Sequence, residues 1–186
     1  MKRIGLFGGT FDPPHVGHLT ICKTVLSSLS LDEVWLIPTY QPPHKQQPEA
    51  SFEHRKNMLQ YLISHEPQLK ISTVESERRG RSYTIDTVKI LKEREINSQF
   101  FFIIGGDMVE YLPKWYAIDE LKTMIQFVGV TRPGSDFIDQ SVLKVNMEEI
   151  NVSSTVIREQ IKRHEHPEGL PIKVYDYIKE HGLYGS

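Results

Sequence analysis

Apolar residues along this chain fall into short, nearly continuous runs, separated by stretches in which they recur every three to four positions. The runs IGLF, VWLI, FFFII and FVGV have strand length and no polar alternation, which suits strands covered on both faces of a parallel sheet. They predict strands over Lys2–Phe7, Glu33–Ile37, Phe100–Ile104 and Gln126–Val130. Lys70–Val74 reads as a further strand and Val142–Val145 as a weaker one. Between them, Leu19, Cys22, Leu26 and Leu29 repeat at helical spacing from Gly17 to Leu29. Arg55, Met58, Leu59, Leu62 and Ile63 do the same from Phe52 to Ser64, with Ser51 placed to cap. Ile85, Val88 and Leu91 share one face from Thr84 to Arg94. Ser154–Arg163 and Ile172–His181 read as two more helices, with Gly182 as a stop. Alternating strands and helices predict an α/β fold with a parallel sheet and right-handed crossovers. The Pro-rich stretch 39–50 and the stretches 105–116 and 132–140 read as loops.

Length and composition narrow the setting. The 186 residues fit a single domain spanning 1–186, and 39% hydrophobic with 25% charged residues supports a real core. A formal charge of −2 gives no global reason to expect a nucleic-acid partner, so any positive field for an anionic substrate must be local. Cys22 is the one cysteine, which rules out an intramolecular disulfide and fits a reducing compartment. The apolar run after the first lysine and arginine is too short for a signal peptide, and no run reaches the ~18 residues of a membrane span. The expectation is a cytoplasmic protein without a membrane partner, and assembly as a homodimer is left open.

Candidate chemistry concentrates where the first strand runs into GGTFDPPHVGH, residues 8–18. Gly8 and Gly9 would let the backbone turn sharply and approach a ligand, and Pro13 and Pro14 delay the helix start. His15 and His18, spaced around Gly17, would face one side of the first helical turn beside its unpaired N–H groups, an anion site. The segment is neither a P-loop nor a GxGxxG fingerprint. Zinc binding and two plain surface histidines are the alternative readings of HxxH taken alone. The first of these lacks the i, i+4 spacing of HExxH and a third ligand nearby.

The segment resembles the HxGH signature of the nucleotidylyltransferase superfamily, and NVSSTVIRE resembles its second element, SSTxxR, through Ser153, Ser154, Thr155 and Arg158. SYTIDT (82–87), IIGGDM (103–108), LPKWY (112–116) and TRPG (131–134) are similar to bacterial nicotinate-mononucleotide adenylyltransferases, and PPHK (42–45) fits them. The resemblance runs from Lys2 to Tyr184; Gly106 departs from it, standing where many members carry Ala and adding backbone freedom. It implies a Rossmann-like sheet with flanking helices and transfer of AMP from ATP to nicotinate mononucleotide, with Mg2+ accompanying ATP. It also implies roles for particular residues. Gly8, Gly9 and Thr10 would contact phosphate, and His15 and His18 would donate to the α-phosphate. Arg158 and Lys45 would offset the charge of the triphosphate, and Ser153, Ser154 and Thr155 would hold its end. Gly105 would belong to the ATP and phosphate site, Asp107 would bind a ribose hydroxyl, and Arg132 would face a phosphate or the adenine. Thr84, Trp115 and Tyr116 would recognise the nicotinate end. Other nucleotidylyltransferases, a class I synthetase fragment and a nucleotide-sensing module without turnover are the rival readings.

Overall fold

The computed structural model describes the chain apart from residues 43–45 and 133. Among these described residues six strands form one sheet: β1 (Lys2–Gly9), β2 (Glu33–Pro38), β3 (Leu69–Ile71), β4 (Ser98–Gly105), β5 (Gln126–Thr131) and β6 (Val142–Asn146). Their order is β3-β2-β1-β4-β5-β6 and every pairing is parallel. This is the doubly wound arrangement, in which the order reverses between β1 and β4 and leaves a crevice at their C-terminal ends. Among the described residues seven α-helices cover it: α1 (Val16–Ser28), α2 (Phe52–Leu62), α3 (Val74–Arg78), α4 (Thr84–Arg94), α5 (Ile118–Met124), α6 (Ser154–Lys162) and α7 (Ile172–Glu180).

The two-residue period of the strands divides the core. Phe101 and Ile103 point to one face, where they meet α1, α2, α6 and α7 through Cys22, Met58, Ile157 and Ile178. Phe100, Phe102 and Ile104 point to the other, where they meet α4 and α5 through Val88, Leu91 and Leu121. Both faces being covered is why these runs are continuously apolar.

Three parts of the structure differ from expectation. The strand expected over Lys70–Val74 stops at Ile71, and Val74 instead opens α3 and buries its side chain. Residues 106–114 form a 3₁₀ segment with Pro113 inside it, and α5 follows after Ala117 in a left-handed conformation. Both elements lie in or beside the stretch read as a loop; the first is 3₁₀ and broken by Pro113, and the second, at seven residues, is too short to show a helical period.

Candidate active site

The crevice at the switch point is walled by the end of β1, the end of β4 and the starts of α1 and α6. Gly8 is exposed at the rim of β1. The sharp turn does not fall on Gly8 or Gly9, which stay in the strand; it falls on Phe11 (φ 53) and the cis Asp12–Pro13 peptide. Gly9 instead makes room for the Phe11 ring, which would lie 2.9 Å from a Cβ there.

His15 caps α1. Its Nδ1 accepts from the Gly17 N–H at 3.1 Å, and the His18 Nδ1 accepts from the His15 N–H at 3.1 Å. A backbone N–H can only donate, so both Nδ1 atoms carry lone pairs and each neutral ring holds its proton on Nε2. The two rings lie 3.8 Å apart, on one side of the helix start as the spacing predicts. Gly17 is required between them, because a Cβ would meet the His15 ring at 2.9 Å. Burial lowers the His15 pKa to about 4, and burial followed by the neighbouring His15 holds His18 well below its usual value. At neutral pH both rings are therefore uncharged and present an Nε2–H donor.

The expected unpaired N–H groups at the start of α1 are not free. Val16 N–H donates to the Gly169 carbonyl at 3.0 Å, Gly17 N–H to His15 Nδ1, and His18 N–H to the His15 carbonyl at 3.0 Å. The capping interactions consume these donors, which leaves the imidazole Nε2–H groups as the unpaired donors on this side among the described residues.

The second motif docks on the first. Ser153 caps α6 by accepting from Val156 N–H at 3.2 Å. Ser154 Oγ donates to the Pro13 carbonyl at 2.8 Å, and an Arg158 terminal nitrogen donates to the Asp12 carbonyl at 2.7 Å. Thr155 is exposed at the helix start. Two segments about 140 residues apart in sequence thus meet at one crevice through hydrogen bonds, with Arg158 beside the histidines' loop. Lys45 lies outside the described residues.

Asp107 is exposed just past β4, its carboxylate folded to 2.7 Å from where a Gly105 Cβ would sit. Gly105 and Arg132 line a cleft of about 160 Å3 with Ile21, Thr131 and Met147. Arg132 is held there by Glu149 at 2.9 Å. On the other side of the crevice, the backbone N–H groups of Tyr40 and Gln41 donate to Ser82 Oγ at 3.3 and 3.2 Å. This places the start of α4 next to the end of β2. Tyr83 caps that helix without a side-chain hydrogen bond, so the Thr84 end retains free donors among the described residues. Tyr116 stands over Tyr83 at 5.1 Å and is exposed. Trp115 is half-buried, edge-on to Phe102 and Phe127 at 5.9 Å each, so it also closes the core below the site.

The Cytidylyltransferase-like family profile matches residues 6–160. Over 189 aligned positions the chain is 51% identical to the nicotinate-nucleotide adenylyltransferase of Bacillus subtilis (strain 168), with 100% of both chains covered. The chain belongs to the nicotinate-nucleotide adenylyltransferase family. A probable nicotinate-nucleotide adenylyltransferase of Bacillus pumilus is 48% identical, again over 100% of both chains. Among solved structures, Plasmodium falciparum nicotinic acid mononucleotide adenylyltransferase complexed with NaAD matches with a TM-score of 0.82. At 21% identity over 99% of this chain and 98% of that one, the match speaks to the fold.

This member of the nicotinate-nucleotide adenylyltransferase family frames its site with residues that sequence reasoning missed. Asp12, 6% exposed, accepts from Glu49 N–H (2.7 Å), Ala50 N–H (3.1 Å) and Tyr184 O–H (2.6 Å). Arg55, 1% exposed, donates to the carbonyls of Ala50, Thr10 and Thr39. It thereby ties α2 to the ends of β1 and β2. Its signal was visible, since it interrupts an otherwise apolar helical stripe; Tyr184 gave none. Gly106 has a steric role rather than one of backbone freedom: a Cβ there would clash with Thr131 Cγ2.

Proposed function

We infer that this chain transfers the adenylyl group of ATP to the phosphate of nicotinate mononucleotide, giving nicotinate adenine dinucleotide and pyrophosphate. One observation carries this most: the SSTxxR helix seats on the HVGH loop through the Ser154 and Arg158 hydrogen bonds. That docking joins neutral donors and a guanidinium at the end of a parallel sheet. Relatives of 48–51% identity that carry the adenylyltransferase name support the substrates.

The attacking group is already an anionic phosphate oxygen, so no side chain need become a nucleophile. Cys22 fits this, being fully buried in the core with burial raising its thiol pKa. The protein's task is to hold two polyanions in line and to spread charge. His15 and His18 donate from Nε2 to the α-phosphate as uncharged imidazoles. Arg158, with Lys45, meets the leaving pyrophosphate; Ser153, Ser154 and Thr155 hold the triphosphate end, and Gly8, Gly9 and Thr10 line the phosphate path. Asp107 takes a ribose hydroxyl at the mouth of the Gly105–Arg132 cleft. At the far end, the free N–H groups near Thr84 suit the nicotinate carboxylate, with Tyr116 and Trp115 around the pyridinium ring.

Among the described residues no three His, Cys, Asp or Glu side chains are grouped to hold a metal ion. Mg2+ would therefore come bound mainly by ATP phosphates and water, neutralising charge on the triphosphate.

The deciding experiment mixes the protein with ATP, Mg2+ and nicotinate mononucleotide and follows pyrophosphate and the dinucleotide by chromatography. A site with donors aimed at a carboxylate should favour the acid over nicotinamide mononucleotide by at least ~10²-fold in kcat/KM. Equal values would remove the nicotinate assignment, and no dinucleotide from either would remove the adenylyltransfer reading.

A further inference from the structure

Arg158 is already engaged by an anion of its own chain. Its Nε donates to Glu49 Oε1 at 2.9 Å while a terminal nitrogen holds the Asp12 carbonyl. Lys162, one turn further along α6, approaches the same Glu49 oxygen at 3.9 Å while donating to Glu159 at 3.2 Å. Glu49 is held in reach by its backbone, because its N–H donates to the buried Asp12 carboxylate at 2.7 Å. Arg158 bonds the Asp12 carbonyl and not its carboxylate, whose oxygens accept from Glu49, Ala50 and Tyr184. The Glu49 side chain is 44% exposed and that of Arg158 20%, so the carboxylate can swing out while the guanidinium stays.

We propose that Glu49 is an internal stand-in for the pyrophosphate end of ATP, occupying Arg158 and Lys162 in the free protein and setting the affinity for polyphosphate by competing for them. This rests on the reading that Arg158 faces the pyrophosphate. Glu49 Oε1 accepts one hydrogen bond from Arg158 Nε, and a pyrophosphate oxygen can accept that bond in its place. The arrangement keeps two cations oriented before ATP arrives, at the cost of affinity. It also eases departure of pyrophosphate, because Glu49 returns to the vacated guanidinium.

The prediction is an affinity gain on removing a carboxylate, which is the opposite of what loss of a structural ion pair produces. Glu49→Gln keeps the backbone bond to Asp12 and the side-chain shape. Coulomb's law across one partly exposed side chain gives a change of about 3–10-fold. Calorimetric titration of the full chain with inorganic pyrophosphate should give a Kd lower by that factor in Glu49→Gln. KM for ATP should fall alongside it, and KM for nicotinate mononucleotide should stay put. In an Arg158→Ala, Lys162→Ala background the Glu49 substitution should have no effect on pyrophosphate binding. Unchanged or weaker pyrophosphate binding by Glu49→Gln overturns the proposal, as does an equal gain in that background. Should wild type still form the dinucleotide in that case, the proposed function stands and only the role of Glu49 falls. A wild-type protein that neither binds pyrophosphate nor forms the dinucleotide removes both.

Discussion

His15 offers a prediction whose size follows from the structure. Its ring is 6% exposed, and burial takes its pKa from 6.5 to about 4. The native pKa is depressed below the unfolded one, so between those values the unfolded chain binds a proton that the native state refuses. Stability from this group is thus complete above pH 6.5 and is lost as pH falls through the window to about 4. At 1.36 kcal/mol per pH unit the loss comes to roughly 3 kcal/mol, most of it by pH 4.5. His18, also lowered, adds a loss of the same sign. Glu75 acts the other way: burial raises its carboxyl pKa, so acidification relieves a native-state cost there. Wild type alone would mix these contributions, and His15→Asn separates them, since Asn can accept the Gly17 N–H at a helix cap but does not titrate. Urea unfolding at pH 7.5, 6.5, 5.5 and 4.5 should show the stability difference between wild type and His15→Asn shrinking by about 2–3 kcal/mol towards low pH. Parallel curves across that range would refute both the buried neutral ring and the tautomer argument built on it.

Three further substitutions test separate parts of the frame. Arg158→Lys supplies charge without the planar fork that here reaches Glu49 and the Asp12 carbonyl from two nitrogens, so kcat/KM for ATP should fall at least ~10-fold; full activity would mean a point charge suffices. Tyr184→Phe deletes a buried donor to the Asp12 carboxylate and should lower unfolding free energy by about 1.5–3 kcal/mol, and an unmoved denaturation midpoint would show that bond to be idle. Gly106→Ala should cost about 1–3 kcal/mol by driving a methyl into Thr131, and Thr131→Ser, which removes the opposing methyl but keeps the hydroxyl bonded to Asn146, should restore most of it in a double-mutant cycle.

The parallel sheet was legible because both of its faces are buried, and that condition writes uninterrupted apolar runs into the sequence. Short elements were not. The five residues of α3 and the seven of α5 span at most two turns, too few for a period to emerge, and Lys70–Val74 looked like one strand because Val74 is as apolar as Leu69. The two motifs were legible as residue types, whereas their hydrogen bonds were not. Nothing in HVGH says that each imidazole spends its Nδ1 on the backbone, because that depends on the helix starting at Val16. Nor does it say that the first N–H groups are taken, since the Val16 partner, Gly169, arrives from a loop more than 150 residues away. Asp12 lay inside the recognised segment, yet its partners Glu49, Ala50 and Tyr184 come from two other parts of the chain.

Those partners bear on how the site works. In the free protein Arg158 holds Glu49 and Asp12, Arg132 holds Glu149, and the donors at the start of α1 hold carbonyls or imidazole nitrogens. On the function proposed above, binding of a polyanion here would be an exchange of partners rather than the filling of an empty charged pocket. Exchange has two consequences. Each hydrogen bond gained to phosphate is offset by one given up within the chain, so net affinity is far below the sum of the contacts. Preorganisation is also complete before substrate arrives, because side chains already held by an anion or a carbonyl lose little further rotamer freedom on meeting phosphate. The imidazole Nε2–H groups are the exception, with no protein partner among the described residues, and they are the donors assigned to the α-phosphate. Donors that need not be released before they act are best spent where charge changes during the reaction, whereas exchangeable partners suit the end of ATP that must leave.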